Sequence, residues 1–400
     1  MDYTKLFSSR TKYMKASEIR ELLKLAEGKD VISFAGGLPD PQTFPVDEMA
    51  EISSYVIEKY GVQALQYAPT AGVTLFRKTL ASWLENQGVA VNSDDMILVT
   101  TGSQQGLDLT SRVLLDKGDI VITEKPTYLA AINAFKPAEP RFIGIEIDDD
   151  GMKTNELEKT LKTMDKQDLS RVKFIYTIPT SQNPGGVTMS MERRKHLLEL
   201  AEQYDLLIVE DDPYSHFVFE PIEFKPLKTL DKNGRVLYLG TFSKILAPGL
   251  RVGFMLGNKD LVSMMELAKQ AMDLHSSSLS QYVALEAIKR GVVDKTIEKA
   301  KNIYKVKRDA MLEALDKYFT GLGRWTRPVG GMFVFVYLNK DVDTKSLMYK
   351  ALDKGVAYVP GGSFFVDGTG KNTLRLNFSY PSIEQIREGI KRLGELFSSI

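Results

Sequence analysis

The sequence predicts an α/β protein: a large, mostly parallel sheet covered by helices on both faces, joined to a smaller α+β unit. Three observations carry that expectation. From residue 96 onward strand-like and helix-like segments alternate, the order that builds a parallel sheet. The strand-like segments are continuous apolar runs, such as Leu206-Leu207-Ile208-Val209 and Val236-Leu237-Tyr238-Leu239, as expected where both sheet faces are buried. After an interval of helical pattern from about 258 to 318, two further runs, Gly330-Gly331-Met332-Phe333-Val334-Phe335-Val336 and Thr373-Leu374-Arg375-Leu376-Asn377-Phe378, read as strands of the smaller unit.

The elements follow in order. Residues 14–26 put Ile19, Leu22, Leu23 and Ala26 on one helical face, with Ser17 able to cap the start, so a short amphipathic arm precedes the body. Gly36-Gly37-Leu38-Pro39-Asp40-Pro41 breaks regular structure, and residues 46–60 form the next helix. The sheet region reads as a strand at 96–101, a helix at 103–116, strands at 119–123 and 173–178, a helix at 190–204, and strands at 206–210 and 236–240. The smaller unit ends in a helix at 383–398, and there is no internal repeat or low-complexity tract.

Composition narrows the function classes. An apolar content of 43% with 10% aromatics supplies a substantial core. The 52 basic and 52 acidic side chains cancel, so no net field draws the molecule to nucleic acid or to an anionic membrane, and an anionic ligand needs a local site. The absence of cysteine excludes disulfides, thiolate metal sites and cysteine nucleophiles. The three histidines, His196, His216 and His275, lack metal-ligand spacing, so no metal is expected; His196, in Arg193-Arg194-Lys195-His196, reads as surface. The start has no apolar signal-peptide core and no stretch approaches membrane length, so a soluble, cytoplasmic protein is expected.

Ligands of open α/β sheets bind beyond the carboxyl ends of the strands, and four of these ends carry unusual polar groups. The first is Gly102-Ser103-Gln104-Gln105-Gly106, where a glycine turn and the next helix's free N–H groups suit a phosphate, although a simple N-cap has the same look. The second is Pro179-Thr180-Ser181-Gln182-Asn183-Pro184-Gly185-Gly186, a rigid loop that fixes the Asn183 amide or merely turns the chain. The third is Asp211-Asp212-Pro213-Tyr214, where a carboxylate at the end of a buried strand calls for a cationic partner. The fourth is Gly240-Thr241-Phe242-Ser243-Lys244, followed by Pro248-Gly249-Leu250-Arg251-Val252-Gly253; a lone lysine there is otherwise a snorkelling surface residue. Pyridoxal phosphate requires a lysine to condense with its aldehyde, an acid for its ring nitrogen, donors for its ring oxygen and a phosphate cradle. The four strand ends offer each.

Over nearly its full length the chain resembles the class I/II aminotransferases of the fold type I pyridoxal-phosphate enzymes. The resemblance rests on Tyr67 in LQYAPTAG, the Gly102–Gln104 turn, Tyr128 in KPTY, Asn183 in QNPGG, Asp211 and Tyr214 in EDDPY, Ser243-Lys244 in TFSK, Arg251 in PGLRVG and Arg375 in LRLNF. FAGGLPDP, LQYAPTAG, IPTSQNPGG and EDDPY look most like the α-aminoadipate, kynurenine and aromatic aminotransferase branch. The resemblance implies a division into an N-terminal arm with part of the small domain (1–45), a large cofactor-binding domain (46–284) and a small C-terminal domain (285–400). It also implies a homodimer in which Tyr67 reaches the neighbouring subunit's cofactor phosphate.

The same resemblance implies the roles. Lys244 anchors the cofactor and shuttles a proton, Asp211 pairs with the pyridine N–H, Asn183 and Tyr214 bond the ring oxygen, and Tyr128 stacks on the ring or is plain core packing. The phosphate lies on Gly102, Ser103 and Gln104, with Thr241, Ser243 and Arg251 adding donors. Arg375, with Asn183 and Gly37, meets the substrate carboxylate, a strand-end ion pair being the plain alternative for the arginine. Aspartate-specific relatives carry a further arginine in a stretch comparable to 273–282, which here holds none. Arg20 on the N-terminal arm takes the position that in this branch meets a distal carboxylate. An aromatic, 2-aminoadipate-like or broad-range L-amino acid is thus the expected donor and 2-oxoglutarate the acceptor. A lyase or decarboxylase would keep Lys244 and Asp211. A non-catalytic effector module of the same fold follows a winged-helix domain, for which the resemblance, starting by about residue 14, leaves no room.

Overall fold

The computed structural model describes residues 1–14 and 31–400. Its strands are β1 (Ile32–Ser33), β2 (Asp95–Thr100), β3 (Ile120–Lys125), β4 (Arg141–Asp148), β5 (Gly151–Met152), β6 (Val172–Thr177), β7 (Leu207–Asp212), β8 (Val236–Thr241), β9 (Gly253–Asn258), β10 (Gly323–Trp325), β11 (Phe333–Leu338), β12 (Val356–Ala357), β13 (Val359–Pro360) and β14 (Thr373–Asn377). Eight form one sheet in the order β2-β9-β8-β7-β6-β3-β4-β5. From β8 through β7, β6 and β3 to β4 all pairings are parallel, while β9 runs antiparallel to both its neighbours and β5 to β4. The expected mostly parallel α/β sheet is therefore present.

The apolar runs are continuous because successive side chains of a strand point to opposite faces and each face has its own core. Val121, Phe174, Tyr176, Val209 and Leu237 enter one hydrophobic cluster. Their neighbours Ile120, Ile122, Ile175, Ile208 and Val236 enter another, on the side of the helices Thr154–Thr163 and Met191–Gln203. Neither register can slip by one residue without exchanging the two cores.

The four-stranded sheet has the order β10-β11-β14-β13, and beside it the helix Val292–Tyr318 packs on the C-terminal helix Ile383–Ser398. The latter begins at the expected residue because Ser382 and Gln385 form a reciprocal capping box. β1 pairs in parallel with β12, which ties the segment after residue 31 to the small C-terminal unit. Among the described residues no helix is long and apolar enough to cross a membrane.

Several elements are additional to the expected order, among them β4, β9 and the helix Thr74–Asn86. β9 begins at Gly253 and is interrupted by Gly257, which breaks its apolar run, and of the eight residues of β4 three are exposed and only Ile145 is buried, which dilutes its pattern. The amphipathic arm expected at 14–26 lies almost wholly outside the described residues.

Candidate active site

The strand ends converge. Asp211, next to the last residue of β7, is 2% exposed. Its Oδ2 accepts a 2.8 Å hydrogen bond from the Tyr176 hydroxyl, and its Oδ1 is buried without a partner. Burial pushes the carboxyl up to about 7, with neighbouring Asp212 adding to the rise. Among the described residues Asp211 forms no ion pair, so the cationic partner expected for it is not found there. A buried, half-satisfied carboxylate is expensive unless a donor arrives from outside the chain.

Lys244 lies three residues past β8, half-buried, and its Nζ donates to the Gly37 carbonyl at 2.6 Å. Loss of hydration, and then repulsion from Arg375 and Arg251, lower its amine to about 8. It is not a snorkelling surface lysine. Asn183 is buried at the centre of the cluster: its Nδ2 donates to the Tyr214 hydroxyl at 3.2 Å, and its Oδ1 accepts from Arg375 at 3.0 Å. Burial raises the phenols of both Tyr214 and Tyr128, the latter to about 12, so both stay protonated donors at neutral pH. Tyr128 is half-buried and feels the charges of Asp211, Arg375 and Arg251.

Arg375, on β14, is 1% exposed and lies over the rings of Phe333 and Phe364, at 4.3 and 5.3 Å from their centroids. It donates to Asn183 and to the Ala35 carbonyl (2.8 Å), while its Nε is buried without a partner. Desolvation lowers the guanidinium to about 10. The strand-end ion pair is absent, so this buried cation lacks a counter-charge within the described chain.

The candidate phosphate cradle is the turn into the helix Ser103–Leu114. Gly102 has φ 73°, a left-handed conformation open to glycine, and a Cβ there would collide with the Arg251 guanidinium. A Cβ on Gly253 would stand 2.6 Å from the Gly102 carbonyl carbon, so the start of β9 presses the turn into shape. The helix start has no side-chain cap, which leaves its leading N–H groups for an anion. Thr241 and Ser243 are bonded to each other through their hydroxyls at 3.0 Å, and Arg251 reaches Ser243 at 3.4 Å and the Thr101 carbonyl at 3.4 Å. Gln104 is exposed, whereas Gln105 is turned inward and bonds Thr101 and Asp273. Tyr67 is 78% exposed, edge-on to His275 at 5.7 Å. Arg20 lies outside the described residues.

The orphaned Asp211 Oδ1, the low-pKa amine and the uncapped helix start fit the ring nitrogen, aldehyde and phosphate of pyridoxal phosphate. The family model described as aminotransferase class I and II matches residues 29–393. The chain belongs to that family. It is thus a pyridoxal-phosphate-dependent transaminase of fold type I. The chain is 52% identical to aromatic-amino-acid aminotransferase 1 of Thermococcus litoralis, over 99% of this chain and 94% of that protein. The crystal structure of Pyrococcus horikoshii kynurenine aminotransferase superposes with a TM-score of 0.96 at 49% identity, covering 100% of this chain and 98% of that one. The α-aminoadipate aminotransferase of Thermus thermophilus, complexed with N-(5'-phosphopyridoxyl)-L-leucine, does so with a TM-score of 0.91 at 39% identity, covering 100% and 99%.

Sequence reasoning missed the partner of Asp211 on the neighbouring strand: Tyr176 reads as one more apolar strand residue. It also missed the Ala35 carbonyl, which no side-chain motif announces; Gly37 was named, and its carbonyl accepts from Lys244. Arg194, in the basic run to which sequence reasoning gave no role, is fully buried, bonded to the Pro179 carbonyl and the Thr180 hydroxyl, both at 2.8 Å. Its neighbour His196 is half-buried, with Nδ1 2.9 Å from the Thr154 hydroxyl.

Proposed function

We propose that this aminotransferase takes its amino group from aromatic and 2-aminoadipate-like L-amino acids and passes it to 2-oxoglutarate. The single observation behind the substrate half of this reading is Arg375, a buried guanidinium with one unpartnered nitrogen and, among the described residues, no counter-carboxylate. An amino-acid carboxylate supplies both the missing charge and a matching fork, and so fixes the direction of the Cα–H bond. The aromatic rings of Phe333 and Phe364 flanking it suit a large apolar substrate. Relatives named for aromatic amino acids, kynurenine and 2-aminoadipate support the range. Arg20, on the N-terminal arm, would serve acidic side chains.

Bound here, pyridoxal phosphate supplies an electron sink for the bond broken at the substrate Cα. The chain's own residues do the rest. Lys244 anchors the cofactor and, once freed, its amine takes the proton from the substrate Cα; desolvation keeps that amine a base near neutral pH. Asp211 holds the pyridine N–H as an ion pair, Asn183 and Tyr214 orient the ring oxygen, and Tyr128 covers the ring face. Gly102, Ser103, Gln104, Thr241, Ser243 and Arg251 retain the phosphate. Tyr67 reaches the phosphate of a second subunit in a homodimer, and residues 46–284 make the cofactor domain between the arm and the small domain.

The experiment that tests the reading follows the visible absorbance of the purified holoenzyme with a panel of amino acids. Aromatic amino acids and 2-aminoadipate should convert the band, and 2-oxoglutarate should restore it; aspartate converting it best would overturn the substrate range. Arg20→Ala should lose activity toward acidic donors while keeping aromatic ones, and equal losses would remove Arg20 from the scheme.

A further inference from the structure

Behind the site lies a second buried acid that takes no part in the scheme above. Glu124, on β3, is 1% exposed and, among the described residues, forms no ion pair. Its Oε1 accepts from the Thr177 hydroxyl at 2.6 Å, and its Oε2 accepts from the Ile178 N–H at 3.3 Å and the Gln182 Nε2 at 2.9 Å. Burial pushes the carboxyl up to about 7 against those donors. A buried carboxyl with no ion-pair partner among the described residues, and only the nearby charge of Arg194 to favour ionisation, is a poor choice for stability alone, so its donors and what they hold are informative.

Gln182 is the link. Its Nε2 also donates to the Pro126 carbonyl at 2.8 Å, and its Oε1 accepts from the Gly185 N–H at 2.5 Å. One carboxamide therefore ties three points together: β3 through Glu124, the segment leading to Tyr128 through Pro126, and the loop carrying Asn183 through Gly185. The adjacent residue Asn183 joins Tyr214 to Arg375, so a displacement of this loop reaches the ring-oxygen donors and the carboxylate-binding arginine together. Arg194 also holds the loop, donating to the Pro179 and Met189 carbonyls at 2.8 and 2.9 Å. The loop also closes on itself, Gln182 N–H donating to the Val187 carbonyl at 2.8 Å and Met189 N–H to the Pro179 carbonyl at 2.7 Å, but the Gln182 side chain is what joins it to β3 and to the segment before Tyr128.

We infer that Glu124, acting through Gln182, is a positioning residue that sets Asn183 and Tyr128 against the cofactor ring and couples them to Arg375. The inference rests on the proposed roles of Asn183 and Tyr128. A carboxylate suits the task because it accepts from three donors on two segments at once. Glutamine in its place offers one accepting oxygen and sets an NH2 against donors.

The test uses holoenzyme and two readouts: the pH midpoint of the bound cofactor's visible absorbance, and kcat/KM for an aromatic donor. Glu124→Gln and Gln182→Met should each move the midpoint and lower kcat/KM by about ten- to a hundredfold, the cost of a misplacement on the order of 1 Å. Thr177→Val removes a hydrogen bond to the same carboxylate without cutting the link to Gln182, and should lower the melting temperature with an unmoved midpoint. Asn183→Ala is the reference. If it moves the midpoint while Glu124→Gln and Gln182→Met do not, the positioning role is overturned and the reading of Asn183 stands. If Asn183→Ala leaves the midpoint in place, both fall. A shift with Thr177→Val as large as with Gln182→Met would mark general loosening and overturn the inference as well. Should Glu124→Gln not fold, Gln182→Met decides.

Discussion

Arg375 and Lys307 are two buried cations where the small unit meets the rest of the chain, and their surroundings differ in one respect. Lys307, on the helix Val292–Tyr318, donates to the Asp40 carboxylate at 2.5 Å and to the Ser379 carbonyl at 2.9 Å. Arg375 has, among the described residues, no carboxylate and one orphaned nitrogen. The same contrast divides the acids: Asp95 meets the buried Lys228 at 2.8 Å, whereas Asp211 meets a tyrosine and leaves an oxygen bare. The closed pairs neutralise their charges within the fold; on the proposed reading the open groups are stations for a ligand. For Asp211 and Arg375 it is a fully buried charge left without an opposite charge among the described residues, more than burial itself, that marks them as candidate site groups.

Removing a group from the open cluster should therefore abolish chemistry, and removing one from a closed pair should cost stability. The largest expected effect is that of Lys244→Ala, which should lower transamination at least about 10⁴-fold in a coupled steady-state assay, while the apoprotein melts near the parent temperature. Substantial turnover by that variant would break the comparison at its centre. Asp211→Asn should cost about 10²–10³-fold in kcat, measured with saturating cofactor and donor. It should also stabilise the apoprotein. Burial holds the Asp211 carboxyl protonated up to about pH 7, so its contribution to stability is present below the ordinary carboxyl range and is lost as pH rises to about 7. Thermal melts of the apoprotein at about pH 8 should show Asp211→Asn a few degrees higher, and its stability should fall less between about pH 4 and 7.

Arg375→Lys should raise KM about ten- to a hundredfold for every amino donor, because a lysine keeps the charge and loses the fork. An unchanged KM would return Arg375 to a structural role. The closed pair gives the opposite signature. Asp40→Asn should lose about 3 kcal/mol in chemical denaturation by leaving the Lys307 ammonium without its carboxylate, with kcat changed little. If its kcat fell as far as that of Asp211→Asn, the division between closed and open charges would not hold.

Much of this was legible in the residues. The strand ends at 102, 183, 211 and 244 carry glycine turns and polar side chains that interrupt apolar runs, and such interruptions survive any change of packing around them. The helix 383–398 was legible because its capping box is local. β9 was not, because its two glycines break the pattern that marks a strand, and Arg194 was not, because a helix's basic run looks solvated whichever residue of it turns inward. Arg20 is named by resemblance alone, and its place lies outside the described residues.

By itself the sequence determined most strands of the large sheet with their flanking helices, the buried character of that sheet and the candidate cofactor-binding groups, since periodicity and short motifs act over a few residues. Only the tertiary structure decided which charges are closed and which are open. That Asp211 finds Tyr176 in place of a cation, that Arg375 finds a carbonyl and an amide in place of an acid, and that Glu124 meets Gln182 across 58 positions depends on neighbours brought together by the sheet's crossovers. Satisfaction of a buried charge is a property of contacts between segments distant along the chain, and no local pattern encodes it.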